Sequence, residues 1–129
     1  MAKRRSVQTG DFKHRNPIPP ASRIGNLVMS GRISGRDSAT DVVPDTMEEQ
    51  CRAMFANMRV VVEAAGGTTD DIIKLTVWLK DLNDRRALNA EWEKMFPDPE
   101  SRPARQAILL AGAEGKVLIA CDFVAVINE

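Results

Sequence analysis

Arg105, in the stretch Arg102-Pro103-Ala104-Arg105-Gln106, is the side chain best placed to do chemistry. Upstream, Phe96-Pro97-Asp98-Pro99-Glu100-Ser101 cannot continue a helix, because Pro99 and Pro103 lack a backbone donor and bias their predecessors away from helical angles. Downstream, Ala107-Ile108-Leu109-Leu110-Ala111 is a short apolar run bounded by Gly112, which predicts a strand buried on both faces. A guanidinium at the mouth of such a strand is costly to bury without a partner. Its planar fork of donors suits a bidentate carboxylate, from the protein or from a ligand. A structural ion pair or a snorkelling surface arginine fits the same local pattern.

Few other residues offer reactive groups. His14, the single histidine, lies in the polar run Lys13-His14-Arg15-Asn16 and reads as a solvated loop residue, too few for a metal cluster or a histidine-dependent triad. There is no tyrosine. Cys51 and Cys121 stand far apart in apolar patterns without metal-binding spacing, which predicts reduced core thiols and a cytoplasmic location. Ser30-Gly31 ends an apolar run, and a glycine there lets a ligand approach the backbone amide. Asn89 is polar beside an apolar stripe, which fits a surface amide or a ligand contact.

The balance of 18 Lys plus Arg against 18 Asp plus Glu argues against nucleic acid or an anionic membrane as partner. Ala2-Lys3-Arg4-Arg5 has no apolar stretch behind it to make a signal peptide or anchor, and no window reaches membrane-spanning length. With 129 residues, a single domain is expected over 1–129, with 1–15 as an N-terminal arm.

The elements that must position Arg105 follow from periodicity. Ser6-Val7-Gln8-Thr9 is a short first strand, and Asn16-Pro17-Ile18-Pro19-Pro20 an extended loop. A turn at Gly25-Asn26 leads into a strand ending at Ser30-Gly31, followed by polar loop from Ser34 to Asp41. Thr46 and Glu49 have capping-box spacing, ahead of a helix with Met47, Cys51, Met54, Phe55, Met58, Val61, Val62 and Ala65 on one stripe and Gly66-Gly67 as its stop. A capped turn at Thr69-Asp70-Asp71-Ile72 precedes a strand over 73–80 with Ile73, Leu75, Val77 and Leu79 on its apolar face. Asp81-Leu82-Asn83-Asp84 caps a second helix running to Phe96, with Ala87, Leu88, Trp92, Met95 and Phe96 inward. Gly112-Ala113-Glu114-Gly115 reads as a hairpin turn, and 117–126 as a long last strand apolar at nearly every position. Two helices cover only one face of such a sheet, so a second copy of the chain is expected on the other, in a homo-oligomer.

The ordered series Asn16-Pro17-Ile18-Pro19, Gly25-Asn26-Leu27, Ser30-Gly31, Ala64-Ala65-Gly66, Thr76-Val77-Trp78-Leu79-Lys80-Asp81, Asn89 and Arg102-Pro103-Ala104-Arg105 resembles the RidA/YjgF family of reactive-intermediate deaminases, from about residue 7 to 127. The resemblance implies an α+β, chorismate-mutase-like domain with a mixed sheet backed by two helices. It also implies a homotrimer whose sheets form a central barrel, with ligand clefts between subunits. In members that hydrolyse imines, an arginine at the place of Arg105 grips the substrate carboxylate. A glutamate on the last strand positions the attacking water, and no cofactor is needed. Gly31 and Asn89 also match the family's substrate-binding positions.

Three positions depart from the family pattern. Ala107 stands where many members carry cysteine, Ile18 where many carry tyrosine, and Ala120 where the water-positioning glutamate aligns. A methyl group accepts no hydrogen bond. Asp122, a two-residue step of roughly 6.5–7 Å further along the strand, and Glu114 in the turn are the possible substitute acids. The resulting expectation is an imine or enamine deaminase acting on small carboxylate-bearing substrates such as 2-iminobutanoate and 2-iminopropanoate. The alternatives are a non-catalytic trimer that binds small carboxylates and, disfavoured by the balanced charge and few aromatics, a ribonuclease.

Overall fold

The first long helix begins where Thr46 accepts a hydrogen bond from the Glu49 amide at 3.2 Å and donates its hydroxyl to the Glu49 carboxylate at 2.9 Å. This helix, α1 (Met47–Ala64), buries Cys51, Met54, Phe55, Met58, Val61 and Val62 on the expected stripe. It stops as predicted: Gly66 takes φ 99°, its amide donates to the Glu63 carbonyl, and the Gly67 amide to the Val62 carbonyl. That pair of hydrogen bonds satisfies two of the last carbonyls of the helix. Truncating Met58 to alanine would cost about 2–5 kcal/mol, because the site is fully enclosed.

The computed structural model describes residues 3–10, 16–112 and 115–128. Seven strands, β1 (Arg5–Val7), β2 (Ala21–Ile24), β3 (Leu27–Ser30), β4 (Ile33–Ser34), β5 (Ile72–Leu79), β6 (Ala104–Leu109) and β7 (Ile119–Val126), form one mixed sheet. Its order is β1-β2-β3-β7-β5-β6, with β4 paired to β7 beyond β3. Helix α2 (Arg86–Met95) links β5 to its parallel neighbour β6, the crossover that a parallel pair requires. Both helices pack on the face bearing Val28, Leu75, Val77, Cys121 and Phe123, where the core sits.

On the opposite face, Ile24, Leu27 and Val126 lie side by side in register, and Met29 stands beside Val124. Ile24, Leu27 and Met29 are each about half exposed. The apolar surface expected beyond the helices is therefore present on the single chain.

Several elements differ from expectation. Ala21–Ile24 and Ile33–Ser34 are strands that the prolines and polar residues around them obscured. Ile73 is turned outward, because a bulge at Ile72/Lys74 inserts one residue and shifts the alternation. The capped turn is present as expected, a 3-10 turn over Thr69–Asp71 whose cap is Thr68. Residues 81–84 close a turn on themselves, with Asn83 and Asp84 amides donating to Asp81, and leave α2 without a side-chain cap.

The largest correction concerns β6. It is an edge strand, not one buried on both faces: Ile108 is 37% exposed and Leu109 52%. Nor do β6 and β7 form a hairpin, since both flank β5. An apolar run reports that a strand prefers cover but not which neighbour supplies it. Of the turn residues, Ala113 and Glu114 lie outside the described residues, as does His14.

Candidate functional site

Arg105 emerges from β6 on the helix-covered side, level with Leu75 of β5. It reaches the exposed side of α2, where residues four and three apart share a face. Its Nη2 donates to Oδ1 of Asn89 at 2.8 Å, and its guanidinium lies 4.9 Å above the Trp92 ring centroid. Asn89 stays at the surface while Trp92 is nearly buried and stacks edge-on against Phe96, which fixes the plane on which the guanidinium rests. No carboxylate pairs with Arg105 among the described residues, and its buried Nη1 has no hydrogen-bond acceptor. Burial first, and the nearby Arg85 charge second, hold this guanidinium below its ordinary pKa. A cation oriented by an amide and an aromatic face, with donor capacity unspent, is suited to an incoming carboxylate.

A second cluster lies elsewhere. On the sheet face away from the helices, Ala120 is fully buried between its register partners Ser34 and Trp78. The Trp78 Nε1 points at Oδ2 of Asp122 at 3.4 Å, long for a hydrogen bond, and the Arg32 guanidinium lies 4.8 Å over the Trp78 ring. Beside it runs an open groove of about 890 Å³ lined by Ile18, Pro19, Arg32, Ser34 and Asn57 among others.

The residues singled out in the sequence thus fall into two groups. Arg105, Asn89 and Ala107 share the β6–α2 edge, Ala107 being half-buried two residues beyond Arg105 on the same face. Ile18, half exposed in its loop, and Gly31 belong to the other end of the sheet, β3 being three strand spacings from β6, or roughly 14 Å. Asp122 and Ala120 face away from Arg105. Within one chain the two groups do not meet.

The Gly31 amide, expected to serve a ligand, already donates to the Pro20 carbonyl at 2.8 Å as a continuation of the β2–β3 ladder. A Cβ at Gly31 would meet nothing closer than that carbonyl at 3.7 Å. Glu114 lies outside the described residues. Sequence reading passed over Arg85, Trp92 as a stacking platform, and the Arg32–Trp78 pair. The 85–89–92 spacing was visible as a helical stripe, whereas Arg32 and Trp78 meet only through strand pairing.

Cys51 and Cys121 are free and buried, as expected. Burial pushes the Cys51 thiol up to about 12 and raises Cys121 as well, so neither is a thiolate at neutral pH. Among the described residues no group of three or more His, Cys, Asp or Glu could hold a metal, and no helix is long and apolar enough to cross a membrane.

Known proteins are similar to this chain in sequence and fold. The endoribonuclease L-PSP family profile matches residues 13–127. A RutC family protein of Haemophilus influenzae is 36% identical over 112 residues, covering 85% of this chain and 86% of its own. The 2-iminobutanoate/2-iminopropanoate deaminase of Salmonella typhimurium is 34% identical over 104 residues, 80% of this chain and 81% of that one. The crystal structure of the Escherichia coli YjgF gene product superimposes with a TM-score of 0.86 at 29% identity, covering 96% of this chain and 99% of that one. The chain belongs to the endoribonuclease L-PSP family, known also as RidA/YjgF.

Proposed function

We propose that this protein is a deaminase of small imines that carry a carboxylate, with Arg105 gripping the carboxylate through its fork. The reading rests above all on that guanidinium, which has an amide and an aromatic face to orient it and no acid of its own chain to neutralise it. The naming of the Salmonella relative supports the same substrate class. In the reaction a water oxygen bonds to the iminium carbon, the water's protons pass to nitrogen, and the C–N bond breaks to give a keto acid and ammonium. The protein's contribution is to hold the substrate in orientation and to shape where water enters. Fast release of product needs no cofactor and no nucleophilic side chain.

The proposed site includes a second copy of the chain. Arg105 and Asn89 lie at one edge, while Ile18, Arg32 and Asp122 lie at the other end or on the other face. The exposed apolar row Ile24–Leu27–Val126 offers the surface for association. We read the protein as a homo-oligomer, a trimer by family resemblance, with clefts between subunits and a cytoplasmic location. Asp122 is the candidate carboxylate for orienting water across such a cleft.

A second reading has its own observation: Ala120 is fully buried between Ser34 and Trp78 and its methyl group supplies no acceptor. In that case the protein binds small carboxylates without turnover, as a sensor or partner. A dehydratase that releases 2-aminoacrylate, coupled to keto-acid detection, separates the two. The deaminase reading predicts pyruvate release faster than in buffer, abolished by Arg105→Ala. A rate equal to buffer, together with ligand-induced thermal stabilisation, leaves the binding reading.

A further inference from the structure

Arg105 is not alone on its edge. Asn89 and Trp92, three residues apart on α2, are what Arg105 meets, and Arg85, the N-cap residue at the start of α2, precedes Asn89 by four. The Asn89 amide donates to the Arg85 carbonyl at 2.8 Å, so Arg85 sits one helical turn before the amide that holds Arg105. The only hydrogen bond of the Arg85 side chain among the described residues is Nε to the Leu82 carbonyl at 2.8 Å, and no carboxylate pairs with it. Two arginines, one held by Asn89 and one a helical turn before it, therefore lie at the same end of α2 with no carboxylate paired to either among the described residues.

The surroundings make this pairing costly in the absence of a ligand. Arg85 and Arg86 stand at the positive end of α2, where cations are disfavoured, and the first turn contains no acidic residue. The Arg85 charge is close enough to weaken proton binding by Arg105. A family site that grips one carboxylate needs one arginine. A neighbouring second fork, held a helical turn away, supplies a second planar recognition point.

Building on the deaminase or carboxylate-binding reading above, we propose that the ligand is a small dicarboxylate, its first carboxylate on Arg105 and its second on Arg85. The substrate class is then the imine of a dicarboxylic keto acid, and the product a keto acid with two carboxylates. Trp92 and Asn89 set the plane of the first group, and Arg85 selects by the second. Because Arg85 is exposed, its contribution is screened by salt, and selectivity falls as ionic strength rises.

The test is calorimetric titration of the full chain at fixed ionic strength with 2-oxobutyrate, 2-oxoglutarate and inorganic phosphate. Wild-type protein should bind 2-oxoglutarate about tenfold or more tighter than 2-oxobutyrate, the gain of one partly screened charge-assisted contact. In Arg85→Gln the ratio should collapse towards one, and in Arg86→Gln it should persist. Melting temperatures without ligand check that both variants fold. Equal affinities in the wild type, or a ratio that survives Arg85→Gln, overturn the dicarboxylate proposal and leave carboxylate binding at Arg105 standing. Phosphate binding as tightly as 2-oxoglutarate overturns it too, since the edge would then be a general anion site. Binding of none of the three overturns both this proposal and the reading beneath it.

Discussion

The β6–α2 edge, with Arg105, and the outer face of β7, with Ala120, are the two places to which the resemblance assigned substrate grip and water placement, and the chain surrounds them differently. At the edge, Arg105 keeps its amide and aromatic supports and has no acid to neutralise it. On β7, a methyl group at the fully buried Ala120 sits where the resemblance placed a glutamate, with Trp78, stacked under Arg32, as its neighbour in register. The contrast separates gripping a substrate from directing water at it. In the proposed reading, recognition would depend on one guanidinium and its supports, while water placement would depend on a carboxylate that has to be wet and reachable.

The largest effect that would sharpen this comparison is on stability. Ala120→Glu forces a carboxylate beside Trp78 at a fully buried position, which combines overpacking with burial of charge. A loss of about 3 kcal/mol or more is expected by denaturant unfolding. Trp78→Phe combined with Ala120→Glu should recover part of that loss, because the smaller ring vacates space. If the double variant then outpaces wild type in imine hydrolysis, the missing acid was the limiting feature of the β7 side.

A smaller effect belongs to the edge. Asn89→Ala removes the acceptor that orients Arg105 and leaves the charge in place, so 2-oxobutyrate affinity should fall by several-fold, about 1 kcal/mol. The melting temperature should hardly move, since Asn89 is exposed. Unchanged affinity would mean that Trp92 alone sets the guanidinium.

Smallest is a control remote from both regions. Asp45 accepts from the Lys116 ammonium at 2.6 Å, and that hydrogen bond, with the charge attraction second, holds its carboxyl below the usual range. A lowered folded-state value means that stability is present above the unfolded carboxyl's pKa and lost as pH falls through the folded one. Asp45→Asn should therefore melt slightly below wild type at pH 7 and converge with it in acid. The pair is solvent-exposed, so the gap should also narrow in high salt.

How much of this was legible beforehand follows from the range of each interaction. Helix α1, its Thr46 cap and its Gly66 stop are written in residues within one turn of each other, and they read correctly. The α2 stripe was equally local. What failed was pairing: the apolar run after Arg105 could not announce that β5 would lie between it and the last strand. The bulge that turns Ile73 outward comes from cross-strand register, which alternation alone does not encode. At the candidate site, the family pattern singled out Arg105 and Asn89, and the fold brings the two side chains together. The engagement of the Gly31 amide by Pro20 was not, because it depends on a hairpin whose first strand was hidden among prolines.

The most direct test of the account is a calorimetric comparison of wild type with Arg105→Lys, using 2-oxobutyrate as ligand. Lysine keeps the charge and loses the planar fork and the stacking on Trp92. The account predicts saturable binding by wild type and an affinity at least about tenfold weaker in the variant. Equal affinity in the two proteins would contradict it, because a point charge would then do all that the fork is held to do.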